Sequence, residues 1–452
     1  MVWSDANVTM RIAVVGAGPS GLYAADALST VGADVDVLDR LPVPFGLVRY
    51  GVAPDHHSIR SVRDTLQKVL EEPGVRFLGG VEVGRDVSVP QLLAAYDGVL
   101  LTYGASRDRR LDVPGEELAG SLAATDFVAW YCGHPDADRA TVEAALAAAR
   151  SVVVVGVGNV AVDVTRVLTA PPDRLEVTEM PQHVLDALRS SSINDVHVLG
   201  RRGPAQATWT TKELKELAEL DGVDVLVDDP NDLDLEPVSA ALVESDRVVA
   251  RNVDVIRSWS EHVLDGTHRH IHLHFHSRPA ELRGTGRVSS VVVERTTVDD
   301  SGAAHGTGET YEVGAQLVIR SVGYRGVALE GVPFDERRNV VPNVDGRVVD
   351  ADGTPVPGLY VAGWIKRGPT GIIGTNKKDA AATVASLLAD LEGRESRGGE
   401  GVERTLREQG VDVVTLAGWR SIDAAERALG ATRGRERTTI HQIDALLGAS
   451  RG

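Results

Sequence analysis

Residues 11–30 read RIAVVGAGPSGLYAADALST, and residues 34–39 continue as DVDVLD. An apolar run, a glycine turn, an alanine-rich helical stretch and a second apolar run make one βαβ unit. Gly16-Ala17-Gly18-Pro19-Ser20-Gly21 occupies the strand-to-helix turn. In that pattern the first glycine permits the tight turn, the second brings the backbone against a pyrophosphate, and the third lets helix and strand pack closely. The helix N-terminus then presents free N–H groups and the positive dipole end to phosphates. Asp39, 18 positions after Gly21, ends the next strand, where a carboxylate bonds the hydroxyls of an adenosine ribose.

The same grammar returns 140 residues later in SVVVVGVGNVAVDVTRVL, residues 151–168, followed by DVHVLGRRGP, residues 195–204. Gly156-Val157-Gly158-Asn159-Val160-Ala161 carries alanine in the third position, which the pattern allows. The next strand ends on Arg201-Arg202 instead of an acid. Two guanidinium groups there clamp a dianionic 2′-phosphate, which a carboxylate repels. The first site therefore suits FAD, whose adenosine ribose carries no phosphate, and the second suits NADP(H) over NAD(H). The predicted fold class is α/β, with two Rossmann-like, three-layer dinucleotide-binding domains.

Composition bounds the rest. A chain of 452 residues suits two or three domains of ~150 residues. Apolar residues at 43% and charged residues at 25% exclude a disordered or collagen-like chain. The single cysteine, Cys132, excludes a disulfide framework, a CxxC redox pair and a cysteine-ligated metal or cluster. A net charge of −18 argues against nucleic acid as partner. No apolar run approaches the ~20 residues that span a bilayer, and the first ten residues lack a signal peptide's basic and apolar regions, so a cytoplasmic location is expected. Residues 58–71 read as a helix, residues 245–297 as antiparallel β structure, and the glycine-rich stretch 393–401 as an exposed linker. The row His268, His270, His272, His274 and His276 alternates as one solvated face of a strand would, and no metal is expected.

Several blocks resemble adrenodoxin reductase-like NADPH–ferredoxin reductases. They are LPVPFGLVRYGVAPDH at 41–56, GVEVGRD at 80–86, VPGEELAGSLAATDFVAWY at 113–131, the GxGNVAVDV helix, GRRGP at 200–204, SVGYR at 321–325 and GWIKRGPTGIIGT at 363–375. They fall in family order from about residue 11 to residue 380. The resemblance implies an NADP domain, 109–339, inserted into a discontinuous FAD domain, 10–108 and 340–452, the latter with a C-terminal helical extension. It implies FAD contacts at Ser20, Asp39, Leu47, Val83, Trp364, Gly371, Ile372 and Ile373. It implies NADPH contacts at Val157, Gly158, Asn159, Val160, Arg201, Arg202, Glu213 and Gly371.

It also implies that His56 and Glu216 lie near the nicotinamide as catalytic residues, although His57 stands where the family usually has proline. The implied activity passes a hydride from NADPH to FAD, then two single electrons to a ferredoxin-type iron–sulfur protein, in a monomer. Five of the six lysines (Lys212, Lys215, Lys366, Lys377 and Lys378) sit beside these motifs as a docking face for an acidic partner. Two other readings stand beside this one. One is a flavoprotein dehydrogenase or monooxygenase with its own small acceptor; the other is an FAD-binding interaction module without catalysis.

Overall fold

A computed structural model describes residues 9–260, 269–397 and 401–452. His268, and residues 398–400 of the expected linker, lie outside the described residues. The chain divides into two compact units, Met1–Arg107 with Tyr324–Gly452, and Asp108–Gly323.

The first unit is built on a seven-stranded sheet. Its strand order is Asn343–Val344, Arg347–Val349, Pro355–Val361, Gly98–Leu101, Arg11–Val15, Asp34–Asp39 and Val75–Gly79. The last five strands run parallel and the first two pair antiparallel at one edge. The central strands are buried on both faces, which is why they read as unbroken Val/Ile/Leu runs. Helices Pro19–Thr30 and Ile373–Leu391 pack on each other. The second crossing between units falls at 323/324, ahead of the 339/340 expected from sequence. The reason is apolar packing: Leu329, Val332 and Phe334 bury against the first unit's core beside Val341, Val348 and Ile365.

The C-terminal extension forms helices Glu403–Glu408, Leu416–Ala431 and Ile443–Ser450. Glu426, fully buried, takes both terminal nitrogens of Arg49 at 3.1 and 2.5 Å. It also accepts from Arg437 at 3.3 Å and from the Ile440 N–H at 2.8 Å. Trp419 meets Phe45 edge-on at 5.6 Å. Phe45 has φ +85°, a region that costs a non-glycine residue about 1–3 kcal/mol and persists only where its surroundings enforce it. The extension thus clamps the 45–50 stretch. The described end of the expected linker is also held, because Ser396 Oγ and the Arg397 N–H both bond Asp97 at 2.7 Å.

The second unit has a six-stranded, wholly parallel sheet. Its order is Ser121–Ala123, Leu317–Arg320, Ser151–Val155, Asp195–Leu199, Arg269–His274 and Val223–Val227. An antiparallel meander of Ser277–Arg283, Ser290–Val298 and Ala304–Gly314 covers Val153, Val155 and Leu199 through Leu282, Val291, Val293 and Val313. Two expectations are corrected here. Antiparallel structure starts only at Ser277, because 237–259 forms helices Pro237–Ser245 and Arg247–Trp259. The second of these buries Asn252, Val253, Ile256 and Trp259, a helical spacing that overrides the local alternation. The histidine row, in turn, is not a solvated face: its strand is interior to the parallel sheet and His274 is buried.

Asp108 offers a pH test of this unit. Burial pushes its carboxyl up to about 7 against the pull of Arg320, with Asp126 and Glu116 adding repulsion. A carboxyl that keeps its proton in the fold and loses it on unfolding makes the folded state bind more protons between its ordinary 3.8 and about 7. Stability therefore falls as pH rises through that window. Asp108→Asn, which cannot ionise, is expected to raise the melting temperature relative to wild type more at pH 8 than at pH 5. Parallel pH–stability curves would count against this.

Candidate active site: two dinucleotide cradles

In the first unit, Gly16 turns at φ +110°, and a Cβ there would lie 2.8 Å from the Thr102 carbonyl oxygen. Thr102 Oγ1 bonds the Val15 and Gly16 carbonyls at 2.9 and 3.0 Å, holding the turn. Gly18 is the N-cap of helix Pro19–Thr30, with no side-chain cap and no acid in the first turn. Its Cβ would meet nothing nearer than Gly46 Cα at 3.9 Å, so the backbone there faces open space. A Cβ on Gly21 would fall 1.9 Å from the Gly16 carbonyl oxygen. The three glycines thus do three different things, and the uncapped helix end is an anion site.

Asp39 accepts the Ala17 N–H at 2.8 Å and the Leu41 N–H at 2.9 Å, one on each oxygen. Burial pushes its carboxyl up and these two donors oppose the rise. Ser20 Oγ and Trp364 Nε1 are buried and have no hydrogen-bond partner among the described residues. Orphaned Ser20 Oγ, an uncapped helix end and a ribose-type carboxylate fit the FAD pyrophosphate and adenosine, and Trp364 Nε1 is a second donor left for the same cofactor.

The remaining first-unit residues lie around the same sheet. Leu47 opens the short helix Leu47–Tyr50, and Val83 bridges Val87. His56 is buried at the N-cap of helix His57–Arg60, while His57 is exposed. Gly371 has φ +85°, Ile372 is 72% exposed, and Ile373 starts helix Ile373–Leu391.

Asp379, which the sequence did not single out, fixes this region. It accepts the Gly363 N–H at 2.6 Å and pairs with Lys366 and Arg367, each at 2.8 Å. It thereby holds the turn that carries Trp364, and no local signal in GTNKKDAA marks it. Lys366 is spent in that pair, whereas Lys377 and Lys378 are exposed.

In the second unit, Gly156 turns at φ +127°, and its Cβ would meet the Ser321 carbonyl oxygen at 2.2 Å. Gly158 caps helix Asn159–Thr169, again without a side-chain cap or an acid in the first turn. Val157, Gly158, Asn159 and Val160 are partly exposed. Asn159 Oδ1 takes the Thr210 N–H at 3.0 Å, and the Val157 carbonyl takes the Thr208 N–H at 3.0 Å. Glu213 is buried, its carboxylate bonded to Thr210 Oγ1 at 3.0 Å.

Arg201 is exposed and Arg202 half-buried, at the end of strand Asp195–Leu199. Neither guanidinium has a carboxylate partner among the described residues. Burial and the neighbouring Arg201 charge hold Arg202 below its ordinary pKa, so an anion there would relieve repulsion. Glu216 pairs with Arg166 at 3.5 Å and Lys212 at 3.9 Å, and Arg166 pairs with Asp163 at 2.9 Å. Lys212 and Lys215 are exposed on the same helix. Of the two expected catalytic residues, then, His56 lies in the first unit and Glu216 in the second.

Residues 14–63 match the NAD(P)-binding Rossmann-like domain family. Over 457 residues the chain is 44% identical to NADPH-ferredoxin reductase FprA of Mycobacterium tuberculosis, covering 96% of this chain and 98% of that one. This chain belongs to the NADPH-ferredoxin reductase family. It is also 37% identical over 469 residues to the mitochondrial NADPH:adrenodoxin oxidoreductase of Arabidopsis thaliana, covering 99% and 96%. The solved structure of M. tuberculosis FprA in complex with NADPH overlays with a TM-score of 0.92 at 43% identity, covering 98% of this chain and 100% of that one. No helix among the described residues is long and apolar enough to cross a membrane.

Proposed function

We propose that this chain is an FAD-dependent NADPH–ferredoxin reductase that passes electrons from NADPH to a ferredoxin-type iron–sulfur protein. The observation that carries the reading is the charge contrast between its two cradles, a backbone-bonded carboxylate at one strand end and, at the other, two guanidinium groups with no carboxylate partner among the described residues. Bound FAD supplies what side chains lack, the ability to take two electrons together and release them singly.

The residues do the rest. Gly18, Ser20 and the start of helix Pro19–Thr30 hold the FAD pyrophosphate, and Asp39 holds its ribose. Trp364 Nε1 and the backbone at 371–373 serve the ring end, and Asp379 positions that turn. Arg201 and Arg202 grip the 2′-phosphate, while Val157 to Val160 take the NADPH pyrophosphate. His56 and Glu216 order the nicotinamide, Glu216 held in place by Arg166. Exposed Lys377, Lys378, Lys212 and Lys215 speed encounter with an acidic partner, an effect that salt weakens. The monomeric state and the cytoplasmic location belong to the same proposal.

Stopped-flow flavin reduction by NADPH and by NADH tests it, followed by transfer to candidate ferredoxins. Loss of a charge-assisted bond costs about 1.5–3 kcal/mol, so Arg202→Ala is expected to raise KM for NADPH by roughly 10- to 100-fold. KM for NADH should hardly move. An unchanged NADPH preference, or electrons passed only to small organic acceptors, would overturn the reading.

A further inference from the structure

Three successive carbonyls in the arginine turn, those of Gly200, Arg201 and Arg202, are each held by residues of the antiparallel meander or the turn that leads into it. The Ser277 N–H donates to the Gly200 carbonyl at 2.9 Å, Thr296 Oγ1 to that of Arg201 at 2.8 Å, and the His276 N–H to that of Arg202 at 3.2 Å. The Thr296 N–H donates to the His276 carbonyl at 2.8 Å, which ties these donors together. Strand Ser290–Val298 shifts register between Glu294 and Thr296, a bulge of the kind that re-aims a side chain.

His276 is the hinge of this arrangement. It stands between strands Arg269–His274 and Ser277–Arg283 with φ +48°, a left-handed conformation in which asparagine, aspartate and histidine are enriched among side chains. Its ring is placed as well. A Cβ on Gly203 would lie 2.9 Å from His276 Nε2 and 3.2 Å from its Cε1, so the ring covers the glycine that follows the arginines. Gly203 has φ −73°, which any residue adopts, so its own backbone does not call for glycine. His276 Nε2 lies 3.4 Å from Glu236 Oε1. The other Glu236 oxygen accepts from Ser239 Oγ at 2.5 Å, and Ser239 Oγ accepts from Gln206 Nε2 at 2.7 Å. Gln206 closes the short helix Pro204–Gln206, so both ends of 200–206 are anchored to one network. Burial, with help from the Arg295 charge, holds the ring's pKa below its ordinary value against the pull of Glu236. The imidazole is therefore neutral at pH 7 and adds no charge of its own.

We propose that His276 is a positioning residue that sets the preference for a 2′-phosphorylated dinucleotide, by fixing the backbone from which Arg201 and Arg202 extend. The inference rests on the reading of those two arginines as the 2′-phosphate grip. Neither guanidinium has a carboxylate partner among the described residues, so their aim depends on the backbone beneath them. A turn ordered in advance spares the ordering cost that a loose one incurs on binding.

The test uses the full-length oxidised flavoprotein and isothermal titration with 2′,5′-ADP, which carries the phosphate, and 5′-AMP, which does not. His276→Val puts a β-branched residue where φ is positive and is expected to shift the turn. It should lose roughly tenfold or more in affinity for 2′,5′-ADP, the scale of one charge-assisted bond, and little for 5′-AMP. His276→Asn, which tolerates the left-handed region, should stay within about threefold of wild type. Gly203→Ala pushes on the ring and should weaken 2′,5′-ADP binding, and His276→Asn in the same chain should restore it. Unchanged 2′,5′-ADP affinity in His276→Val, or equal losses for both nucleotides, overturns the proposal. If His276→Val does not fold by circular dichroism, the Gly203→Ala pair decides: a loss that His276→Asn does not repair counts against it. Arg202→Ala in the same titration separates the two levels. If it keeps full 2′,5′-ADP affinity, the grip itself is misread and this inference falls with it; if it loses affinity while His276→Val does not, only the role of His276 is wrong.

Discussion

Gly21→Ala is expected to yield a protein that purifies almost free of flavin. The added Cβ would sit 1.9 Å from the Gly16 carbonyl oxygen and 2.7 Å from Thr102 Oγ1. The closer clash is with backbone, which no rotamer change relieves. Overpacking of this kind costs about 1–3 kcal/mol or more, and the strain is released only by moving helix Pro19–Thr30 off its strand. That helix end holds the pyrophosphate, and binding sites tolerate displacements of only about 0.5 Å. Flavin per polypeptide, read from absorbance, should fall at least tenfold.

Gly18→Ala makes an informative partner, because its Cβ would meet only Gly46 Cα at 3.9 Å. It should leave thermal stability of the apoprotein near wild type while still blocking FAD. A yellow Gly21→Ala protein with full flavin content would show that the third glycine is not a packing residue here. The second cradle supplies the natural contrast: Ala161 occupies the equivalent position and is buried without difficulty.

Glu426→Ala carries the largest expected effect on stability. The substitution leaves Arg49, fully buried, without its carboxylate, whereas Arg437 keeps its pair with Asp423. Removing one member of a buried ion pair costs about 3–5 kcal/mol, chiefly because the remaining charge stays desolvated. That is a large share of the roughly 5–15 kcal/mol that holds a typical domain together. Burial and the Glu426 charge act in opposite directions on Arg49, and the charge wins, holding its pKa well above the ordinary value. The urea midpoint should drop sharply and flavin retention with it, because the 45–50 stretch loses its clamp. A loss below about 1 kcal/mol would mean that water reaches Arg49 once Glu426 is gone. Glu426→Gln, which keeps one acceptor, should fall between.

The parts of this molecule legible in the sequence are those whose physics is local. A glycine turn between an apolar strand and a helix is specified within a dozen residues, so both cradles, Asp39 and the Arg201-Arg202 pair stood out. The crossing at 323/324 did not, because it depends on where Leu329, Val332 and Phe334 bury, and their spacing alone does not name a core. Helix Arg247–Trp259 was hidden by alternating polar and apolar residues whose helical period shows only in what is buried. The histidine row showed its alternation but not its neighbours: Asp195 and Asp228 come from strands 75 and 44 residues away in sequence. Asp379 and Glu426 act at 16 and 377 residues' separation from the groups they hold, so no motif announces them.

The long reach between Arg49 and Glu426 has a consequence for biosynthesis. The strand beside Gly98–Leu101 comes from 355–361, and the clamp on the 45–50 stretch comes from 416–440. Polypeptide emerging from a ribosome therefore lacks the pieces that finish the flavin-holding module until residues 416–440 have been made, while residues 108–323 already contain every strand of their own sheet. Vectorial synthesis favours maturation of the insert ahead of the host that flanks it. Ribosome-stalled chains ending before residue 416 should carry a protease-resistant insert and no yellow colour.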